Sequence, residues 1–285
     1  MSHFNVLVIG ENQNRYDIVL GEDSVKAQLD PFWELDLYPE EMAEDPRAEF
    51  RIEIPHDNIP VKAKEIAEDY IAWQRERSNP DMDKIQKYTA YLEHECWIAI
   101  LDDYQGGGQD IHGNWGYWHN PRAKWDWYQI GGRWRGYFKL KPYTIALALG
   151  DPSWCNENQP VDTDRADQAF KGDIDWKAMK AQGRAEGESQ WTEHLKKLES
   201  GDETYSPYFD YRIRQGETRE TFIARAESVA TFAVVKDGEW YERGEMGWWA
   251  CISNEKPQDQ WDEEFDKLVM GLPDHTLLTL VDCHI

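Results

Sequence analysis

At 285 residues the chain is long enough for one large domain or two small ones, and a 40% hydrophobic, 13% aromatic composition supplies a real core and excludes general disorder. The formal net charge of −24 repels phosphate backbones, so direct nucleic-acid binding is disfavoured, while basic protein surfaces are attracted. No apolar run is long enough to span a membrane, the opening MSHFNVLVIG lacks the basic start of a secretory leader, and four scattered cysteines without a CxxC point to free thiols in a reducing compartment.

Phe4 to Ile9 is a continuous apolar run and is expected to form a buried strand. The segment from Asp30 to Glu53 follows, with nine acids against two arginines, and is expected to be an exposed, irregular acidic segment that closes with a short strand near Phe50 to Ile54. Two uses compete for it. It is either a solvated loop or an interaction surface on which Phe32, Trp33 and Tyr38 anchor a contact steered by Glu40, Glu41, Glu44 and Asp45. From Pro60 the spacing of Ala63, Ile66, Ala67, Tyr70, Ile71 and Trp73 predicts a helix. Asp81 is placed to cap a second helix with Met82, Ile85, Tyr88, Leu92 and Cys96 as its stripe, so the two should form a helical hairpin.

Asp102 to Arg122 is loop-like by its glycines. Thr144 to Leu149 is expected as a strand. Asp173 to Leu198 reads as helical, with Gly183 or Gly187 as possible break points, and Thr218 is placed to cap a further helix through Ala226. Thr231 to Val235 reads as a strand, followed by the Asp237-Gly238 hairpin signal and a return strand from Trp240. Trp248 to Ile252 is expected as another strand, Trp261 to Val269 as a helix, and Leu277 to Val281 as the final strand. Strands at both ends with helices clustered between them predict an α+β fold with a mixed or antiparallel sheet that includes both terminal strands. The expected organisation is one domain over residues 1–285, with a helical insertion at about 151–226.

Three groups of residues could carry chemistry. Gly131-Gly132-Arg133 could present backbone N–H groups to an anion, but no phosphate-loop or dinucleotide pattern surrounds them. A tight turn with Arg133 and Arg135 stacked on neighbouring tryptophans is the favoured account, worth on the order of 1 kcal/mol per stack. Trp125, Trp127, Arg133 and Trp134 would then be either scaffold or part of a partner-binding surface. His94, His112 and His119 lack ligand-like spacing, so no metal and no cofactor is expected. Finally, if the terminal strands are neighbours, His3 and His284 could meet, with Asp282 orienting one of them as a general-base arrangement. Cys283 would point to the opposite face.

The opening MSHFNVLVIG, the central KWDWYQIGGRWRGYF, the segment EWYERGEMGWW and the closing LLTLVDCHI together resemble a family that recurs in tailed phages and prophages. The chain is also similar in kind to phage inhibitors of bacterial defence, including those acting against the Gabija nuclease system. The resemblance implies a non-enzymatic inhibitor in the host cell cytoplasm that binds and blocks a DNA-binding nuclease complex, with homo-oligomerisation compatible. It supplies no catalytic residue. The alternatives are a small hydrolase or nucleotide-processing enzyme using His3, Asp282 and His284, and a structural or regulatory phage protein.

Overall fold

The computed structural model describes residues 2–12, 22–35, 39–105, 107–200, 216–247 and 251–285. The chain divides into two compact units, Met1–Pro31 with Lys124–Ile285, and Phe32–Ala123. The fold is α+β, with a mixed sheet that contains both terminal strands.

In the first unit, a seven-stranded sheet runs in the order Glu239–Glu242, Ala233–Lys236, His3–Asn12, Thr276–His284, Trp127–Gly132, Asp151–Pro152. Gln168–Phe170 completes it by pairing with Leu277 to Thr279. His3–Asn12 is antiparallel to the C-terminal strand and parallel to Ala233–Lys236. Both terminal strands are covered on both faces, which is why FNVLVI and LLTLV show no polar alternation. The hairpin turn has φ of 53° at Asp237 and 78° at Gly238, the left-handed pair that its Asp-Gly signal specifies. The Gln258–Phe265 helix buries Trp261 and Phe265, and the Trp261 indole donates to the Thr231 carbonyl at 2.8 Å.

Trp176–Ser200 is one unbroken helix. Gly183 and Gly187 are therefore not breaks. A Cβ at Gly183 would lie 2.1 Å from the Ala226 carbonyl oxygen, so the glycines let the Arg219–Glu227 helix approach. Thr218 caps that helix with a reciprocal bond to Thr221, as expected.

In the second unit, helices Ile59–Glu76, Met82–Glu93 and Trp97–Gln105 enclose a core of Ile59, Ala63, Ala67, Ile85, Tyr88, Ile100 and Leu101. Asp81 caps the second of them through the Lys84 N–H. Glu49–Ile54 pairs with Trp115–His119, which pairs with Gly108–Gln109.

Four sequence expectations need correction. The acidic segment closes with the expected strand, Glu49–Ile54, but the rest of it is not irregular: it holds a 3-10 turn at Asp30–Phe32 and a helix at Pro39–Glu44, and Phe32 is buried. The glycine-rich stretch contains the strand Trp115–His119, in which a Cβ at Gly116 would sit 2.0 Å from the Arg51 carbonyl oxygen. Cys96 lies beyond its helix, which ends at Glu93. Thr144 to Leu149 makes no ladder and has only an isolated bridge from Ala148 to Gln168. Of the expected strand at Trp248 to Ile252, residues 248–250 lie outside the described residues, and Ile252–Ser253 pairs with Glu245–Met246.

Candidate functional site

The two chain ends build the site. Ser2 and Ile285 exchange both backbone hydrogen bonds, at 2.9 and 3.1 Å. The next pair, His3 opposite His284, is therefore of the non-hydrogen-bonded kind, in which facing side chains come closest. Trp127 stands opposite His284 on its other side, so His3, His284 and Trp127 form one row across three strands. The neighbouring row on the same face is Asn5, Asp282 and Gln129.

The imidazole centroids of His3 and His284 are 5.0 Å apart. Each ring is held by a carboxylate. His3 Nδ1 lies 2.8 Å from Asp282 Oδ1, and His284 Nδ1 lies 2.6 Å from Asp126 Oδ1. A carboxylate only accepts, so each Nδ1 carries the proton and the neutral ring keeps its lone pair on Nε2. Neither Nε2 is among the fully buried, unpartnered side-chain atoms of the described residues, although both rings are largely buried, 13% exposed at His3 and 15% at His284. Trp127 is 47% exposed and edges both rings, at 5.8 Å from His3 and 6.1 Å from His284.

Asp282 is fully buried and spends its second oxygen on the backbone N–H of Arg133 at 2.9 Å. The glycine pair makes this possible. Gly132 has φ of 55°, and a Cβ there would fall 2.5 Å from Asp282 Cβ. A second buried carboxylate, Asp167, accepts from the N–H groups of Gly136 at 2.7 Å, Tyr137 at 3.1 Å and Gly150 at 2.9 Å. Burial pushes its carboxyl above the usual range, opposed by those three donors and by Arg135. The IGGRWRG loop thus does present its backbone N–H groups to acceptors, but these are the protein's own carboxyl groups. Neither guanidinium lies over an aromatic ring among the described residues, and Arg135 Nε instead donates to the Gly150 carbonyl at 2.8 Å.

Cys283 faces away from this cluster and is buried. Burial, with Asp282 and Asp126 nearby, pushes its thiol well up, so it stays protonated and is a poor nucleophile.

The other expected contact residues fall in both compact units. Trp125 is buried, its indole donating to the Leu29 carbonyl at 3.0 Å, while Trp134 is packed on the core and Arg133 is exposed. Trp33, Glu40, Glu41, Glu44 and Asp45 belong to the other compact unit. Glu41 and Glu44 are exposed, whereas Asp45 is clamped by Arg47, whose guanidinium also sits 5.5 Å from the Trp33 ring centroid. Tyr38 lies outside the described residues. The sequence analysis missed Asp126 and Asp167. Asp126 carries a usable signal, because it immediately precedes the strand that pairs with the C-terminal strand; Asp167, in the polar run DRADQ, carries none.

Comparison with protein-family models, with curated proteins and with solved structures finds no match to the chain.

Proposed function

We propose that the joined chain ends form a general acid–base centre and that the protein is a small hydrolase. The observation that carries this is the doubled pairing: two imidazoles 5.0 Å apart, each with Nδ1 fixed by a carboxylate so that Nε2 is the nitrogen left for proton transfer. His3 Nε2 takes a proton from water while Asp282 stabilises the imidazolium that results. His284, in its protonated form, returns a proton to the leaving group. Trp127 offers an apolar wall for the substrate, and the surrounding negative charge disfavours polyanions. The test is a panel of ester, amide and phosphodiester substrates against the wild type, His3→Gln and His284→Gln. Turnover that follows a bell-shaped pH profile and falls ~100-fold or more in either variant supports the reading. Turnover indifferent to both variants, or none across the panel, overturns it.

A second reading rests on the exposed Glu41 and Glu44 and the charge of −24: a phage protein that blocks a host DNA-binding nuclease complex by contact. Neutralising Glu40, Glu41 and Glu44 would then slow association with that complex and reduce its dependence on salt. Recovery of no nuclease from host lysate counts against it.

A further inference from the structure

The helical hairpin of the second unit carries a basic pocket at its turn. Ile59–Glu76 and Met82–Glu93 are joined by residues 77–81, and a cavity of about 480 Å³ opens there, lined by Tyr70, Trp73, Arg77 and Lys84 among others. That is the size of a small-molecule site. The fold fixes its walls. Gln74 is buried, its Nε2 donates to the Tyr70 hydroxyl at 2.8 Å, and its Oε1 accepts from the Asp81 N–H at 3.2 Å. One side chain thus ties the first helix to the far end of the turn. The Tyr70 ring also stacks on buried Tyr88, with centroids 4.6 Å apart. A pocket held in this way needs little reordering to accept a ligand.

Its charge runs against that of the chain. Acids outnumber basic residues 55 to 31, yet among the described residues neither Arg77 nor Lys84 makes an ion pair. Their cationic heads lie near rings instead, the guanidinium 4.7 Å from the Trp73 centroid and the ammonium 6.0 Å from that of Tyr70. Asp81, the carboxylate of the lining, spends Oδ1 on the Lys84 backbone N–H, and Asp103, which also feels Lys84, is held by Lys87 at 2.5 Å. Trp73 is 52% exposed, so ring surface and free cations share one pocket.

We propose that this pocket binds a small aromatic phosphate monoester, the chemical class to which nucleoside monophosphates belong. A phosphate monoester carries about −1.5 to −2 charges at neutral pH and three acceptor oxygens, which suits two cations. Arg77 offers a planar fork of N–H donors already set against the indole, and Lys84 a point charge. The ligand's ring lies against Trp73. A carboxylate would bring a single charge to two cations, and a polyanionic strand would meet the repulsion of the whole molecule. A compact monoester avoids both. The site lies within Phe32–Ala123, and the inference is independent of the acid–base proposal.

Isothermal titration calorimetry of the whole chain with phenyl phosphate tests it, with benzoate, phenol and inorganic phosphate as comparisons. Phenyl phosphate should bind with a dissociation constant of about 1 mM or tighter, and each comparison compound ~10-fold or more weakly. Arg77→Met, Lys84→Met and Trp73→Ala should each weaken binding ~10-fold, with circular dichroism unchanged because all three side chains are exposed. Lys64→Met, on the same helix but outside the pocket, should change nothing. The indole N–H resonance that is missing in Trp73→Phe should shift as phenyl phosphate is added to the wild type. Absence of binding at about 10 mM overturns the proposal. So does inorganic phosphate or benzoate binding as tightly as phenyl phosphate, affinity indifferent to Arg77→Met and Lys84→Met, or a Trp73 resonance that stays in place.

Discussion

Gly132→Ala should be among the most damaging single-methyl additions the first unit can receive. Two costs combine. A φ of 55° disfavours any side chain, by about 1–2 kcal/mol. The new Cβ would also stand 2.5 Å from both Asp282 Cβ and Oδ2, inside any real contact distance. Asp282 cannot swing aside freely, because His3 Nδ1 and the Arg133 N–H hold its two oxygens at 2.8 and 2.9 Å. Losing one such charge-assisted bond costs about 1.5–3 kcal/mol, for a total near ~3–5 kcal/mol. Gly238→Ala is the control: its φ of 78° imposes backbone strain, yet nothing lies within 4 Å of the added Cβ. It should lose only ~1 kcal/mol. At roughly 2–4 °C per kcal/mol, the two melting temperatures should differ by ~5–10 °C. The His3 imidazole resonances should also shift in Gly132→Ala and not in the control. Equal melting temperatures would refute the claim that the glycine pair exists to admit the buried carboxylate.

Three other outcomes are expected. Gly183→Ala should lose ~1–3 kcal/mol in a denaturant melt, because the methyl meets the Ala226 carbonyl and forces two helices apart; a neutral result would mean that the helices slide. Asp45, which its hydrogen bond to Arg47 lowers to about 2, contributes stability that is present above the ordinary carboxylate range and lost as pH falls through that value; carboxyl titration by NMR should show it rising toward normal in Arg47→Ala, and no rise would discount the clamp. Asp167 has the opposite sign: burial raises its folded pKa, so the stability linked to its protonated form is full below the unfolded value and is lost as pH rises through the folded one. The stability difference between the wild type and Asp167→Asn should therefore shrink with rising pH in that window, and a growing difference would mean that the three N–H donors outweigh burial.

The parts that were legible in the sequence are those in which local chemistry and tertiary structure agree. The apolar end runs, the Asp-Gly turn and the caps at Asp81 and Thr218 each need only their own neighbours to be understood. Once the terminal strands are taken as partners, a period of two brings His3, Asp282 and His284 to one face, so much of the site's membership follows from register alone. Tertiary demands hide the rest. Trp115–His119 looks like loop because Gly116 is required by a close approach of Arg51, a fact about another strand. Gly183 and Gly187 mimic helix breaks because the need they meet belongs to a neighbouring helix. Thr144 to Leu149 has the composition of a strand, but composition does not say whether a partner is present. Asp167 is a lone acid in a polar run, and only the fold shows the backbone donors converging on it.

The pairing of His3–Asn12 with Thr276–His284 also constrains how the protein is made. The N-terminal strand leaves the ribosome long before its antiparallel partner is synthesised. At about 5–20 residues per second the wait is on the order of tens of seconds, with an apolar edge unsatisfied throughout. Phe32–Ala123 is contiguous and can collapse onto its own core in that interval. The sheet of the first unit closes last, in a slow step dominated by contacts between distant residues. Synthesis that stalls before residue 276 would leave the strand FNVLVI exposed, making the incomplete chain a natural client of holdase chaperones and its yield more sensitive to translation speed than to the stability of the finished fold.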